Sequence, residues 1–121
     1  MGYYFFLKKA PKQPKNSKIE RIRHMQEHYF EKYYKILLIR TNAKRAKDSI
    51  KILRNLSLYF NILDFSFDNY KNIITFINNK KASYDWKNQI KWTYKNFIKT
   101  CFPEQYEKIA NLIKKEQKKY I

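Results

Sequence analysis

Glycine, proline and cysteine are nearly missing from this chain of 121 residues. The single glycine is Gly2, so no later residue supplies the positive backbone φ angle that tight hairpins and phosphate-binding loops favour. The three prolines, Pro11, Pro14 and Pro103, leave long stretches in which a helix can run without interruption. These scarcities predict an all-α fold, built as a compact bundle of four to five helices.

Cys101 is the only cysteine, which excludes a disulfide within the chain. It falls on the apolar side of a predicted helix, and we expect a small core residue in an intracellular, cytoplasmic protein. No apolar run approaches the roughly 20 residues that a membrane-spanning helix needs. The apolar start at residues 1–7 is too short for the core of a signal peptide. We therefore expect no membrane partner.

Acidic residues are scarce relative to basic ones. The chain holds 27 Lys and Arg residues against 10 Asp and Glu residues, a formal net charge of +17. Such an imbalance favours nucleic acid or another anionic surface as the partner. The abundance of Lys, Asn, Ile, Tyr and Phe is also what an A+T-rich genome produces whatever the function, so the charge alone does not identify the partner.

The chain divides into a basic arm at residues 1–16, in which prolines lie among lysines, and a helical domain at residues 17–121. Apolar residues recur three and four positions apart through the domain, which is the spacing of one face of a helix. In the first predicted helix the core face comprises Ile22, Met25, Tyr29, Tyr33 and Ile36, broadened by Phe30, Tyr34 and Leu37.

Capping residues set the predicted helix boundaries. Ser17 followed by Glu20 forms a capping box, and Asn42 and Asp85 are candidate N-caps. Pro103 ends one helix and fits the first turn of the next. The helices are therefore predicted at residues 18–38, 43–62, 68–79 and 85–102, with a fifth from Pro103 to the C-terminus.

Two of these helices carry a basic face opposite an apolar one. In the second helix Lys44, Lys47, Lys51 and Arg54 recur at spacings of three and four residues. In the fourth helix a lysine recurs every fourth residue, with polar and aromatic residues between: Lys87, Asn88, Lys91, Trp92, Lys95, Asn96 and Lys99. Both faces hold almost no acidic residue, so we expect them to lie against a polyanion.

Trp92 stands on the basic side of the fourth helix. The apolar side of that helix is predicted to hold Trp86, Ile90, Thr93, Tyr94, Phe97 and Cys101. A tryptophan on the opposite side either packs against another helix or contacts a sugar or base beside the lysines that bind phosphates. The sequence leaves both roles open.

No residue pattern marks a catalytic or metal site. His24 and His28 lie four residues apart on the first helix, but the sequence offers no third metal ligand and lacks the metalloprotease motif. Paired acids, a serine–histidine arrangement and a glycine-rich loop are also missing. We therefore expect no enzyme activity, no metal and no cofactor.

Three stretches of the sequence resemble the N-terminal core-binding domain of the tyrosine recombinases, the phage-integrase family, and especially its archaeal members. Residues 41–56 are similar to its second helix, with a threonine start and basic residues ahead of an aliphatic end. Residues 69–77 are similar to its short third helix. Residues 83–97, which open with the sequence SYDW, are similar to the start and core face of its fourth. The resemblance extends from about Ile19 to Ile113.

The resemblance implies a SAM-like helical domain that forms one half of a C-shaped clamp on duplex DNA, with the second and fourth helices near the major groove and backbone. It implies a part in DNA recombination and DNA integration, within a site-specific recombinase. The family's catalytic arginine, His-x-x-Arg element and nucleophilic tyrosine belong to a separate C-terminal domain, which we expect this chain to lack. The implied partners are duplex DNA and such a catalytic domain or recombinase protomers.

The sequence thus predicts a non-catalytic domain that binds duplex DNA. Asn88, Trp92 and Asn96 are predicted to reach base edges or sugars. The predicted phosphate contacts are Lys44, Lys47, Lys51, Arg54, Lys91, Lys95 and Lys99, with Lys87 on the same face. Two alternatives stay open at this point: an RNA-binding helical module, and a protein-interaction adaptor whose charge reflects genome composition.

Overall fold

Five helices account for most of the described chain. The computed structural model describes residues 17–118, so the predictions for the arm and for residues 119–121 lie outside it. The helices are α1 (Ser17–Arg40), α2 (Ala43–Ser57), α3 (Phe67–Asn78), α4 (Tyr84–Cys101) and α5 (Pro103–Lys118). Residues 17–118 contain no strand, and the predicted all-α bundle is confirmed. No helix among them is both long enough and apolar enough to cross a membrane.

Helix α4 is the centre of the bundle. It packs against each of the other four helices, while α2 packs mainly against α1 and α4. The side chains that fill the space around α4 are large and apolar. Aromatic rings of α1 and α4 meet edge to face there. The ring centroid of Phe97 lies 5.4 Å from that of Tyr33 and 5.7 Å from that of Phe30. Because α4 is held on several sides, only part of its circumference is left for a ligand.

Side-chain caps begin three of the helices. The Asn42 side chain accepts the backbone N–H of Arg45 at 2.9 Å, which confirms the predicted N-cap of α2. Ser83 caps α4 instead of the predicted Asp85, which lies in the first turn, where its charge complements the helix dipole. Pro103 begins α5 as predicted. The predicted capping box at Ser17 rests on a side chain outside the described part of the chain.

The buried face of α1 differs from the predicted one. Met25 was expected in the core but is 52% exposed, whereas the neighbouring Gln26 is buried. The cause is a hydrogen bond in which the Gln26 Oε1 accepts the backbone N–H of Ile62 at 3.2 Å. A buried amide that is satisfied in this way is tolerated in a core. Phe30, Tyr33 and Leu37 continue the buried face, and Tyr33 is thus placed as predicted.

Helix α2 ends at Ser57 rather than at residue 62, so its predicted length is wrong. The connection to α3 is held by side-chain hydrogen bonds to the backbone. The Asn69 Nδ2 donates to the carbonyl oxygens of Asn61 and Asp64, both at 2.9 Å. The Ile62 N–H of the same connection is satisfied by the Gln26 side chain. Because these backbone groups already have partners, they do not need the hydrogen bonds of another helical turn.

The apolar face of α4 is buried at Ile90, Thr93, Tyr94 and Phe97, as predicted. Cys101 is half-buried, and burial raises the pKa of its thiol. Trp86 is the exception, because it lies at the edge of the bundle and is 43% exposed. The prediction that Trp86 belongs to the core is therefore wrong.

Candidate nucleic-acid interface

The basic face of α2 begins with three lysines on successive turns. Lys44, Lys47 and Lys51 are all exposed. Within residues 17–118 none of them forms an ion pair or a side-chain hydrogen bond. Ala46 and Leu53 are fully buried on the opposite side of the helix, so packing fixes the direction in which the lysines point. The predicted orientation of these three lysines is confirmed, and their contact with DNA stays a prediction.

Arg54, the fourth member of the predicted α2 stripe, is already paired. Its guanidinium donates two hydrogen bonds to the Glu27 carboxylate of α1, at 2.7 Å and 3.1 Å. Both residues line a groove of about 620 Å³ between α1 and α2, together with Lys47, Lys51 and the acidic Glu31. The basic face of α2 therefore has an acidic border on α1, which the spacing along one helix does not reveal.

Asp48 also corrects the expectation of a face almost free of acid. It is half-buried among the lysines of α2 and lines two clefts that separate α2 from α4. No ion pair joins it to Lys44 or Lys51 within the described residues. Its carboxylate nevertheless lowers the positive potential on the α4 side of the stripe.

The lysine stripe of α4 divides into two halves. The Lys87 Nζ donates to the backbone oxygen of Asn78, and the Lys91 Nζ donates to the side-chain oxygen of the same residue, both at 2.9 Å. Asn78 is the last residue of α3, and the unpaired carbonyls at a helix C-terminus attract cations. Lys87 and Lys91 therefore hold α3 against α4, and reaching a phosphate requires them to leave these bonds.

The second half of the α4 stripe is closer to solvent. Lys99 is exposed and Lys95 is half-buried, and neither has an ion pair within the part of the chain that the structure describes. Asn88 is half-buried without a side-chain hydrogen bond there. The Asn96 Nδ2, by contrast, donates to the Tyr33 Oη at 2.6 Å. Burial raises the pKa of the Tyr33 hydroxyl.

Trp92 does not pack into the bundle. Its side chain is 60% exposed and borders a cleft of about 410 Å³ between α4 and the start of α2. Lys44, Arg45 and Gln89 line the same cleft. Of the two roles that the sequence left open, packing against another helix is thus not the one observed within residues 17–118.

Trp86 borders a second cleft between α2 and α4, of about 490 Å³, together with Lys51, Asn55 and Lys80. Sequence reasoning missed Arg45, Gln89 and Lys80 as site residues. Arg45 directly follows Lys44 at the start of α2, and Lys80 lies in the loop before α4, so both were visible as basic residues. What the sequence lacked was the way in which α2 and α4 pack, which brings them beside the two tryptophans.

The two histidines of the chain lie on α1. His24 and His28 are exposed on α1, beside the groove with Glu27 and Glu31. Within residues 17–118 no three His, Cys, Asp or Glu side chains are grouped to hold a metal ion.

No protein-family model, no curated protein and no solved structure matches the chain. The resemblance to recombinase core-binding domains therefore stays a prediction from the sequence. Two structural observations do not depend on this resemblance. Helix α2 has an exposed basic face, and two exposed tryptophans lie along the boundary between α2 and α4.

Proposed function

We propose that the helical domain binds duplex DNA without cutting it, and that the exposed face of α2 lies against the phosphate backbone. The observation that supports this most is the set of Lys44, Lys47 and Lys51, exposed on successive turns and unpaired within the described chain. Unpaired lysines release bound counterions from DNA when they neutralise phosphates, and this release drives association.

The size and charge of α2 suit a duplex. An α-helix with its side chains is about 10–12 Å across. A B-DNA major groove is about 12 Å wide and admits one α-helix. The formal charge of +17 on the whole chain attracts polyanions over a longer range and raises the rate of encounter.

Some of the predicted contact residues already have partners within the domain. Arg54 is paired with Glu27, and the side chain of Asn96 is bonded to Tyr33. Arg45, which is exposed and lines the Trp92 cleft, joins the set in their place. We propose that the principal contacts are Lys44, Arg45, Lys47 and Lys51, with Lys95 and Lys99 at the edge and with Lys87, Asn88 and Lys91 secondary.

The resemblance to tyrosine recombinases adds a finer proposal. In that family the second and fourth helices approach DNA together, and the chemistry belongs to another domain. We propose the same arrangement here, in which this domain positions DNA and a separate recombinase catalytic domain performs any strand cleavage.

A salt titration tests the proposed function. If about four side chains neutralise phosphates, the logarithm of the association constant for a short duplex should fall against the logarithm of salt concentration with a slope of about −4. A matched RNA duplex in the same series separates DNA from RNA as the preferred partner. Absence of binding at low salt, or a slope near zero, rejects the proposal and favours a protein-interaction adaptor.

A further inference from the structure

Both tryptophans of the chain are exposed on the same helix, Trp92 at 60% and Trp86 at 43%. Each borders a separate cleft that α4 forms with α2. Their positions differ by six residues, which is about 9 Å along the axis of α4. A large aromatic side chain usually lies buried or at an interface, so two of them along one boundary indicate a binding surface.

The side chains around Trp92 are basic and amide-bearing. Lys44 and Arg45 stand on the α2 wall of its cleft, and Gln89 stands beside it on α4. Thr41 and Asn42 line the cleft where α1 gives way to α2, and the Asn42 side chain there is already used as the cap of α2. The cleft thus offers one aromatic ring with two cations and one free amide.

The side chains around Trp86 repeat the same chemistry. Lys51, Asn55 and Lys80 line its cleft with α2. On its other side Trp86 borders a hollow of about 480 Å³ that includes Lys80 and Lys81 of the loop before α4. The Lys80 Nζ lies 4.9 Å from the centroid of the Phe76 ring, so this cation is held over an aromatic face.

The charge identifies the chemistry of the occupant. Five basic side chains line the two Trp clefts and the adjoining hollow, and Asp48 is the acidic residue that faces both clefts. Protein interfaces are depleted in lysine at their centres, whereas aromatic rings beside lysines are the usual platform for bases and phosphates. In a duplex the faces of the bases are covered by their stacked neighbours, so an indole ring reaches the face of an unpaired base at a lower cost than that of a paired base.

We propose that Trp92 and Trp86 stack on unpaired bases of a nucleic acid, while Lys44, Arg45, Lys51 and the Lys80–Lys81 loop hold the neighbouring phosphates. The preferred substrate is then a duplex that continues into a short single strand. This inference rests on the proposed function, because it requires that nucleic acid occupies this face.

The affinities for three versions of one DNA, measured at the same salt concentration, test the inference. The first is a blunt duplex, the second carries a short thymidine tail, and the third carries a tail of the same length made of abasic sugars and phosphates. One stacked base increases affinity by about tenfold. We expect the thymidine tail to bind at least about tenfold more tightly than the blunt duplex, and the abasic tail to bind almost as the blunt duplex does.

Trp92→Ala and Trp86→Ala should each remove most of the gain from the thymidine tail. Tyr84→Ala is the matched control, because Tyr84 is 77% exposed on the same helix and lines none of these clefts. Circular dichroism reports whether each variant folds. Trp86→Phe leaves Trp92 as the sole tryptophan. Its emission, excited selectively over that of the tyrosines, should be quenched by the thymidine tail and unchanged by the abasic tail.

The outcomes separate this inference from the proposed function. If no DNA binds at low salt, the proposed function fails and the inference fails with it. If the blunt duplex binds with the expected salt dependence but the tail adds nothing, the inference alone is overturned and another occupant, such as a protein, is favoured. An equal gain from the abasic tail, or a gain that survives Trp92→Ala, also overturns it.

Discussion

Arg54 and Glu27 join α2 to α1 through a two-point ion pair. The guanidinium NH2 lies 2.7 Å from one carboxylate oxygen, and the Nε lies 3.1 Å from the other. Donating hydrogen bonds to the Glu27 carboxylate raises the pKa of the guanidinium. Both side chains are more than half exposed, so the pair contributes at most about 1 kcal/mol to stability. Its larger consequence is electrostatic, because it neutralises one member of the basic face.

Glu27→Ala should therefore strengthen DNA binding. The substitution frees Arg54 for a phosphate and removes an acid from the border of the basic face, so the salt slope should steepen by about one unit. The free energy of unfolding should change by no more than about 1 kcal/mol. Glu107→Ala, on the exposed side of α5, makes the same change in net charge and is the control. Equal effects of the two substitutions would mean that only net charge matters.

Neutralising Lys47 and Lys51 should weaken binding. The double substitution Lys47→Gln and Lys51→Gln removes two phosphate contacts, so the salt slope should become shallower by about two units. Glutamine is preferable to glutamate here, because a new acid would face Glu27 and Glu31 across the groove and confuse binding with folding.

The control for this pair lies on α5. Lys108→Gln and Lys114→Gln remove the same charge from exposed positions on a helix that packs against α3 and α4. Both double variants should melt within a few degrees of the parent, because exposed charges contribute little to folding. If the α5 variant loses as much affinity, the α2 face is not the interface.

The sequence alone predicted those features of the fold that depend on residues close together in the chain. Asn42 and Pro103 mark the starts of α2 and α5 because capping and the missing proline N–H act within one turn. The buried face of α2 also followed from spacing, since Ala46 and Leu53 lie on one side of a short regular helix.

The sequence was insufficient where residues distant in the chain decide. Gln26 is buried because it accepts a hydrogen bond from Ile62, and no periodicity predicts a glutamine in a core. Lys87 and Lys91 share a face with Lys95 by spacing, yet Asn78 at the end of α3 binds the first two. The division of the candidate site therefore depends on how the helices pack, which the sequence pattern of one helix does not contain.

Gln26→Ala should destabilise the fold. The substitution leaves the buried N–H of Ile62 without its acceptor, which costs about 1–3 kcal/mol, and removes packing between α1 and the connection after α2. Its neighbour supplies the control, because Met25→Ala alters a side chain that is largely exposed and should change stability by about 0.5 kcal/mol or less. Urea unfolding measures both, and a larger loss for Met25→Ala would contradict the assigned face of α1.

Tyr70 and Tyr94 are buried against each other, and their titration should lower stability in alkaline solution. Their rings lie 5.8 Å apart between centroids, and burial raises the pKa of Tyr70 to about 12 and raises that of Tyr94 as well. Both hydroxyls stay protonated in the folded state at a pH where the unfolded chain, with tyrosine pKa values near 10, has begun to lose its protons.

The sign follows from this difference. Below about pH 10 the two hydroxyls are protonated in the folded and the unfolded state alike, so these tyrosines add no pH dependence. Between pH 10 and about 12 the unfolded state binds fewer protons than the folded state and is therefore favoured as pH rises. Urea midpoints should therefore be level up to about pH 10 and then fall as pH rises. Tyr70→Phe removes one of the titrating groups, so its decline should be shallower than that of the parent. An equally steep decline in Tyr70→Phe would mean that Tyr70 does not carry the effect.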